Sequence, residues 1–408
     1  MRSGLHLDRS SALTCTIFQP KTTQPVLTII KRELQRIVRQ PIYLFSMVVA
    51  PLFCCLLFTT LMGEGLPEQL PAGVVDEDAT ATSRNVRENL GAFQMVDIRQ
   101  NYANVGEARR AMQRGEIYGF YLLPKGMENE ALRQRIPTVS FYTNSSFLVA
   151  GSLLYRDMRM MSELASGAAT RSVLYAKGAT ERQAMAYLQP VVVDMHPLGN
   201  AVLNYNVYLT NLLVPGVLGI FIFMMTVYTF GTELKFGTAR QLMRRSGGSA
   251  AAAVFGKLWA QFGVFLLTGT LVVLWLYGAL HFPHAGGLLR MWGLMALYIL
   301  ACQGLGLAFF TLLPTLRLGL SAASLWGVLS FSICGMSFPV MAMHPTLQGV
   351  AWLFPLRHYY VLYVCTALHG FPLGSLPWHV VVLWLFAALP LLCLRRLKGV
   401  MLHGHYEA

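Results

Sequence analysis

Six stretches of the chain are apolar at nearly every position for about twenty residues, the length a helix needs to cross a hydrocarbon core of about 30 Å. They predict membrane spans at 42–62, 207–230, 258–280, 291–313, 318–343 and 378–394, none holding Asp, Glu, Lys or Arg. Lys257 and Arg290 mark the starts of the third and fourth. Ahead of the first span the pattern changes to one face of a helix: Val26, Ile30, Leu34, Ile37 and Val38 fall together, with Arg32, Arg36 and Arg39 opposite. A basic amphipathic helix over 26–41 is expected to lie in the membrane interface, with Arg32, Glu33, Arg36 and Arg39 as its polar residues. The alternative is a plain basic flank of the first span. Residues 1–25 show no period and read as an N-terminal extension, and 399–408 as a tail.

The segment 64–206 alternates short patterned runs. Strands are predicted at 72–75, 117–123, 139–142 and 191–193, and helices at 83–90, 107–114 and 147–175. The expectation is an α-helical polytopic membrane protein of six transmembrane helices, with an α+β extracytoplasmic domain inserted between helices 1 and 2. Residues 76–82 read as a strand-exit loop that caps the next helix.

Composition agrees: 55% of the 408 residues are hydrophobic and 12% charged, against about 25% charged in soluble domains. Disorder, a disulfide-knit scaffold and an ordinary soluble enzyme are excluded. The net charge of +13 invites a nucleic-acid reading until the charges are placed. The segment 64–206 holds 14 of the 32 basic residues and 15 of the 19 acids, so the excess sits in short flanks of the spans. That is an orientation signal; no nucleic-acid partner is expected. It puts both termini on the cytoplasmic side and 64–206 outside. All seven cysteines lie outside 64–206, so no disulfide framework is expected there.

Chemistry is sparse. A carrier driven by protons or sodium places Asp, Glu, His or Arg within its spans; on this reading none does, and Gln261 and Gln303 read as packing residues. A phosphate-binding G-x-x-x-x-G-K-[ST] loop is missing, since Gly256-Lys257 has Ala251 and Leu258 at the other two places. ATP, if used, belongs to another chain, and no cofactor is expected in this one. The pairs His281/His284 and His403/His405 lack further ligands, so no metal is expected. Asn144-Ser145-Ser146 matches a glycosylation acceptor too common to decide anything. Pro51 and Pro215 predict bends. No catalytic constellation is present, and the chain does not read as an enzyme.

Two segments carry a resemblance. Gly231-Thr-Glu-Leu-Lys-Phe-Gly-Thr-Ala-Arg-Gln-Leu-Met-Arg-Arg-Ser246 resembles the E-x-x-x-G-T-x-x-x-L stretch of ABC-2 type transporter permeases, with Glu233, Gly237, Thr238 and Leu242 on the pattern. Ser337-Phe-Pro-Val-Met-Ala-Met-His-Pro345 and Trp352-Leu-Phe-Pro-Leu-Arg-His-Tyr-Tyr360 resemble its F-P-x-x-x-M-P and P-L-x-x-Y regions, with His344 where Met is commoner. Gly73-Val-Val-Asp-Glu-Asp78 and the helix-then-strand unit at 107–119 resemble the subgroup with a large domain between spans one and two. Ile30 to Leu34 and Arg39-Gln-Pro41 resemble its entry to the first span.

The resemblance covers 26–398. It implies a permease subunit that docks an ABC ATP-binding subunit, which holds ATP and Mg, through 231–246, with Glu233, Lys235, Gly237, Thr238, Arg240, Leu242 and Arg244 coupling the two. It further implies an outer re-entrant segment at 344–371, approached through Phe338 and Pro339 and shaped by Pro345, Pro355 and Tyr359. A second permease copy, identical or related, is implied as partner, the bilayer surrounds both, and the outer domain could meet a periplasmic adaptor. The expected role is multidrug-like efflux from a bacterial inner membrane by alternating access. Span walls of Phe, Met, Leu and Trp suggest a hydrophobic or amphipathic, drug-like or lipid-like substrate. Glycan or glycolipid export and a non-transporting sensor or assembly protein are the competing readings.

Overall fold

The computed structural model describes residues 25–132, 138–189, 196, 199–200 and 204–403. The chain divides into two compact units, Met1–Phe58 with Leu209–Ala408, and Thr59–Tyr208. The strand expected at 191–193, residues 1–24 and residues 404–408 lie outside the described residues.

Helix α1, Pro25–Arg39, forms as its period predicts, but a different stripe packs inward: Ile29, Glu33 and Ile37, one turn apart. Leu34 and Val38, on the apolar face read from the sequence, are exposed together with Leu27. A count of apolar positions gives no weight to an acid, and here an acid lies at the centre of the stripe that packs on the protein. The first long apolar helix, Pro41–Leu61, joins α2, Pro41–Leu44, to α3, Ala50–Leu61, through a π turn at Phe45–Val49. The wide turn immediately precedes Pro51, which has no N–H to give the preceding turn.

In the second unit, strand β1, Leu70–Asp76, is followed by α4, Ala81–Gly91, β2, Val96–Tyr102, α5, Val105–Gln113, and β3, Gly119–Leu123. Then come α6, Met127–Leu132, β4, Ser140–Thr143, α7, Leu148–Ala176, and α8, Glu181–Leu188. The sheet order is β2-β1-β3-β4; β1 runs parallel to β2 and β3, and β4 is antiparallel to β3. Alternation along β1 sends Leu70, Ala72 and Val74 to a core shared with Leu154 and Met158, and Val75 to a core with Ala108 and Phe120. Strand β2 was not predicted, because Asp97, Arg99, Gln100 and Asn101 fill the exposed middle of an edge strand.

The loop after β1 is held as its composition suggests. The Asp76 carboxylate accepts the N–H groups of Asp78 and Ala79 and the Ser83 hydroxyl, and Thr80 caps α4. Asp78 in turn accepts the N–H groups of Gly126 (2.7 Å) and Glu128 (3.1 Å). Burial works against that carboxylate, but the Thr80 hydroxyl and these N–H groups prevail and hold it below the usual range.

The first unit resumes with α9, Tyr205–Lys235, α10, Ala239–Arg245, and α11, Ala250–Val273, which continues as a π turn through Leu274–Ala279. Helices α12, Leu288–Leu312, and α13, Leu316–Ile333, follow, then the short α14, Pro345–Ala351, α15, Pro355–Tyr363, and finally α16, Pro377–His403. Six helices among the described residues are long and apolar enough to cross a membrane. Helix α13 meets α9 at Gly319, against Val227, and at Gly327, against Ile220, with buried Ala323 at the same four-residue spacing between them, a small stripe that allows close helix approach.

The observed ends differ from the predicted ones where charges are concerned. Helix α9 runs on past 230 to Lys235, and α11 begins at Ala250 instead of 258. The fifth span stops at Ile333 instead of 343, where Gly335 takes φ +100° and Pro339 prevents resumption. Boundaries had been drawn at Lys257 and before Glu233 because those residues are charged; the helices carry both inside. His379 also lies within the sixth helix. The expectation of spans free of ionisable groups is therefore corrected.

Buried charge cluster and coupling segment as candidate functional site

Glu233 sits near the C-terminal end of α9, Lys257 two turns into α11, and Arg32, Glu33 and Arg36 on the inner side of α1. The three helices bring them together. Arg32 Nη2 and Arg36 Nη1 lie 2.9 Å and 2.7 Å from Glu233 Oε1, and Lys257 Nζ lies 3.0 Å from the same oxygen and 2.8 Å from Glu33 Oε1. Arg32 Nη1 reaches Glu33 at 3.2 Å. Glu233 and Lys257 are 0% exposed and Glu33 is 1% exposed. A side chain so placed cannot ionise in isolation, and each here has opposite charge at hydrogen-bond distance.

The cluster is satisfied further by neutral groups. Arg36 donates to the Thr232 hydroxyl at 3.0 Å and lies over the Tyr43 ring, while Lys257 lies over Phe230. The Thr238 hydroxyl donates to Glu233 across the turn that leaves α9. Burial works against the Arg32 charge, yet its bond to Glu233 outweighs that and strengthens its hold on its proton. One turn deeper, Gln261 donates to Thr229 and to the Met225 carbonyl, the packing role expected of it. Among the described residues of this unit, Glu33 and Glu233 are the only carboxylates, and both are in the cluster.

Packing lets α1 come this close. A Cβ on Gly256 would stand 2.7 Å from Ile29 Cβ, so glycine at this point allows α1 to lie directly on α11 and places Glu33 beside Lys257.

From Glu233 the chain turns sharply. Gly237 takes φ +67°, and the N–H of Thr238 returns to the Glu233 carbonyl at 2.9 Å, closing α9 in the manner of a glycine-terminated helix. Helix α10 then buries Ala239, Leu242 and Met243 and exposes Arg240, Gln241, Arg244 and Arg245. Its buried side meets the last turns of α16, with Arg240 Nε 3.4 Å from the Leu402 carbonyl. Lys235 and Phe236 are exposed on the preceding turn.

The residues singled out in the sequence thus separate into two groups. Glu233, Thr238 and Leu242 face inward with Arg32, Glu33 and Arg36, while Lys235, Arg240 and Arg244 stand at the surface and Gly237 makes the turn. Arg39 is exposed at the end of α1. In the other segment, Phe338 and Pro339 are exposed, and Pro345 and Pro355 each open a short helix at its first position, where a missing N–H costs nothing. Tyr359 is buried against Tyr298, with ring centroids 4.9 Å apart.

Lys257 and Tyr43 were missed as members of the cluster. The signal for Lys257 was present, a lone lysine within an apolar run from Ala250 to Leu280, but it had been taken as a boundary.

The model of the ABC-2 family transporter protein matches residues 41–394, which takes in α9, α10, Glu233 and Lys257. The chain belongs to the ABC-2 transporter family. It is accordingly the membrane-embedded permease part of a transporter, and ATP is handled by a partner ATP-binding subunit. No curated protein matches the chain. Helix α1 precedes the matched region of this ABC-2 permease and still provides three of the five charges of the cluster.

Proposed function

We propose that this permease exports a hydrophobic or amphipathic, drug-like or lipid-like substrate across a bacterial inner membrane. It works as a pair of identical or related copies with two ATP-binding subunits. The observation that carries the reading is the corner formed by α1, α9, α10 and α11: a basic, exposed helix edge anchored to a transmembrane helix by a buried ion cluster. Such an edge offers Lys235, Arg240, Arg244 and Arg245 to an acidic partner surface. The cluster ties the edge to α9, so that a push on α10 moves a membrane helix without first bending a loop.

On this reading both termini face the cytoplasm, because the basic residues of α1, α10 and the end of α16 then lie on the retained side. The Thr59–Tyr208 unit lies outside, where it shapes the exit or meets a periplasmic adaptor. Exposed Trp275, Trp292, Trp352, Trp378 and Trp384 suit helices bordered by lipid and its interface. Apart from the paired cluster, charge in the six long apolar helices is confined to their ends, which favours an apolar cargo over a small ion.

The test is to co-purify the chain with its ATP-binding subunit, reconstitute the complex in lipid, and follow ATP hydrolysis with and without hydrophobic drugs. A stable complex stimulated by one drug class is the expected result. A chain that purifies alone and confers no stimulation overturns the export reading and favours the sensor.

A further inference from the structure

Away from the charge cluster, α15 carries two adjacent polar residues that reach opposite neighbours. Arg357 Nη1 donates to the Cys334 carbonyl at the end of α13, 2.9 Å away. His358, fully buried, bonds on both ring nitrogens: Nε2 lies 2.9 Å from the Trp352 carbonyl and Nδ1 lies 2.8 Å from Nδ1 of His379 in the first turn of α16. The Trp352 indole stacks on the His379 ring, with centroids 5.1 Å apart and planes 13° from parallel.

This geometry fixes the tautomers. A carbonyl only accepts, so His358 Nε2 carries the hydrogen and the neutral ring presents a bare Nδ1. His379 Nδ1 must then be the donor, which leaves its Nε2 bare. A first proton added at His379 Nε2 breaks neither hydrogen bond. It makes the bond between the rings charge-assisted, roughly twice as strong as a neutral one, and places a cation against the face of Trp352. A second proton could go only to His358 Nδ1 and would remove the acceptor. Burial foremost, opposed by the Trp352 carbonyl and aided by His379 and Arg357, pushes His358 down to about 4, so that second step is deferred to strong acid.

The surroundings define what the proton meets. Helix α15 itself brings Arg357 and Tyr359, α12 brings Tyr298 against Tyr359, and the end of α13 brings Cys334; the turn at Leu373–Ser375 has no titratable side chain. The only carboxylates among the described residues of this unit are committed to Lys257 and the arginines.

We propose that His358 and His379 form a single-proton site that fastens α15 to the head of α16 more firmly in mild acid. Because Arg357 ties the same helix to α13, protonation stiffens the link between the fifth and sixth spans. The site is independent of the coupling reading and requires no particular cargo.

The experiment uses the full chain in lipid nanodiscs, with the proton as the only ligand. Emission from Trp352, taken as the difference between wild type and Trp352→Phe, is followed from about pH 7.5 to about pH 4.5, a window widened on the acid side because burial and the Arg357 charge oppose a proton on His379. Quenching of about twofold or more with a one-proton slope is expected, and His379→Gln abolishes it, because an imidazolium stacked on the indole is the quencher. Backbone hydrogen exchange in α15, corrected for the intrinsic effect of pH, is expected to slow about threefold or more in wild type over the same range. A flat difference titration, quenching that survives in His379→Gln, or α15 amides that lose protection in acid would each overturn the proposal. The exchange measurement rests on wild type alone and stands even if a variant fails to fold.

Discussion

Glu233 holds three cations on one carboxylate, and the bookkeeping of charge around it decides which substitutions the protein tolerates. Removing it leaves Arg32, Arg36 and Lys257 with Glu33 alone, and Lys257, at 0% exposure, has no water to turn to. Glu233→Ala is therefore expected to destabilise the chain by about 3–5 kcal/mol, the usual cost of stranding a buried charge. Lys257→Met leaves two cations and two carboxylates and fills the same volume, so its cost is expected to be clearly smaller. Thermal unfolding of both solubilised variants checks the order, and a Lys257→Met protein less stable than Glu233→Ala contradicts it. Glu233, Arg32, Glu33 and Arg36 were all legible in the sequence as polar residues that mattered, but as surface contacts. Their inward orientation was not, because pairing between residues some 200 positions apart leaves no trace in local periodicity. Lys257 was hidden by a simpler rule, that a charge ends a span; it fails whenever the helix brings the charge its partner.

Elements were read more faithfully than their ends. The six apolar helices, the strand-exit loop at Asp76 and the long helix after β4 follow from hydrophobic runs and capping residues, signals that are local. Strand β2 was lost because an edge strand with three polar residues in a row, Arg99 to Asn101, has no sustained alternation to detect. For α1 the period was right, and the stripe that packs on the protein, Ile29, Glu33 and Ile37, lies beside the apolar face that the period marks. Its seat on α11 depends on Gly256, and a larger residue there must displace Ile29. Gly256→Leu is expected to lift α1 from α11 and separate Glu33 from Lys257, at a cost of about 1–3 kcal/mol. A cysteine placed at Ile29 reports it: buried and unreactive to a water-soluble maleimide in the parent, it is expected to react about tenfold faster or more beside Gly256→Leu, since burial suppresses thiol reactivity. Equal rates would show that α1 is held by something other than this contact.

For the molecule as a whole, two compact units divide the work that the sequence had assigned to one permease. The Thr59–Tyr208 unit has its own sheet and cores on both faces, as expected of an independent fold. The other unit gathers the long apolar helices, and among its described residues every carboxylate is spent on fastening α1, α9 and α11 together. What remains exposed on α10 is purely basic or neutral, and family membership says that an ATP-binding subunit exists to meet the permease. The central claim is that the meeting takes place on this edge, with the cluster as its anchor. The most direct measurement is the affinity of the purified ATP-binding subunit for the chain in nanodiscs, wild type against the double variant Arg244→Glu with Arg245→Glu. Binding weaker by about tenfold or more, with the thermal stability of the chain unchanged, is the predicted result. Undiminished binding by a folded double variant would contradict the account and move the docking surface elsewhere.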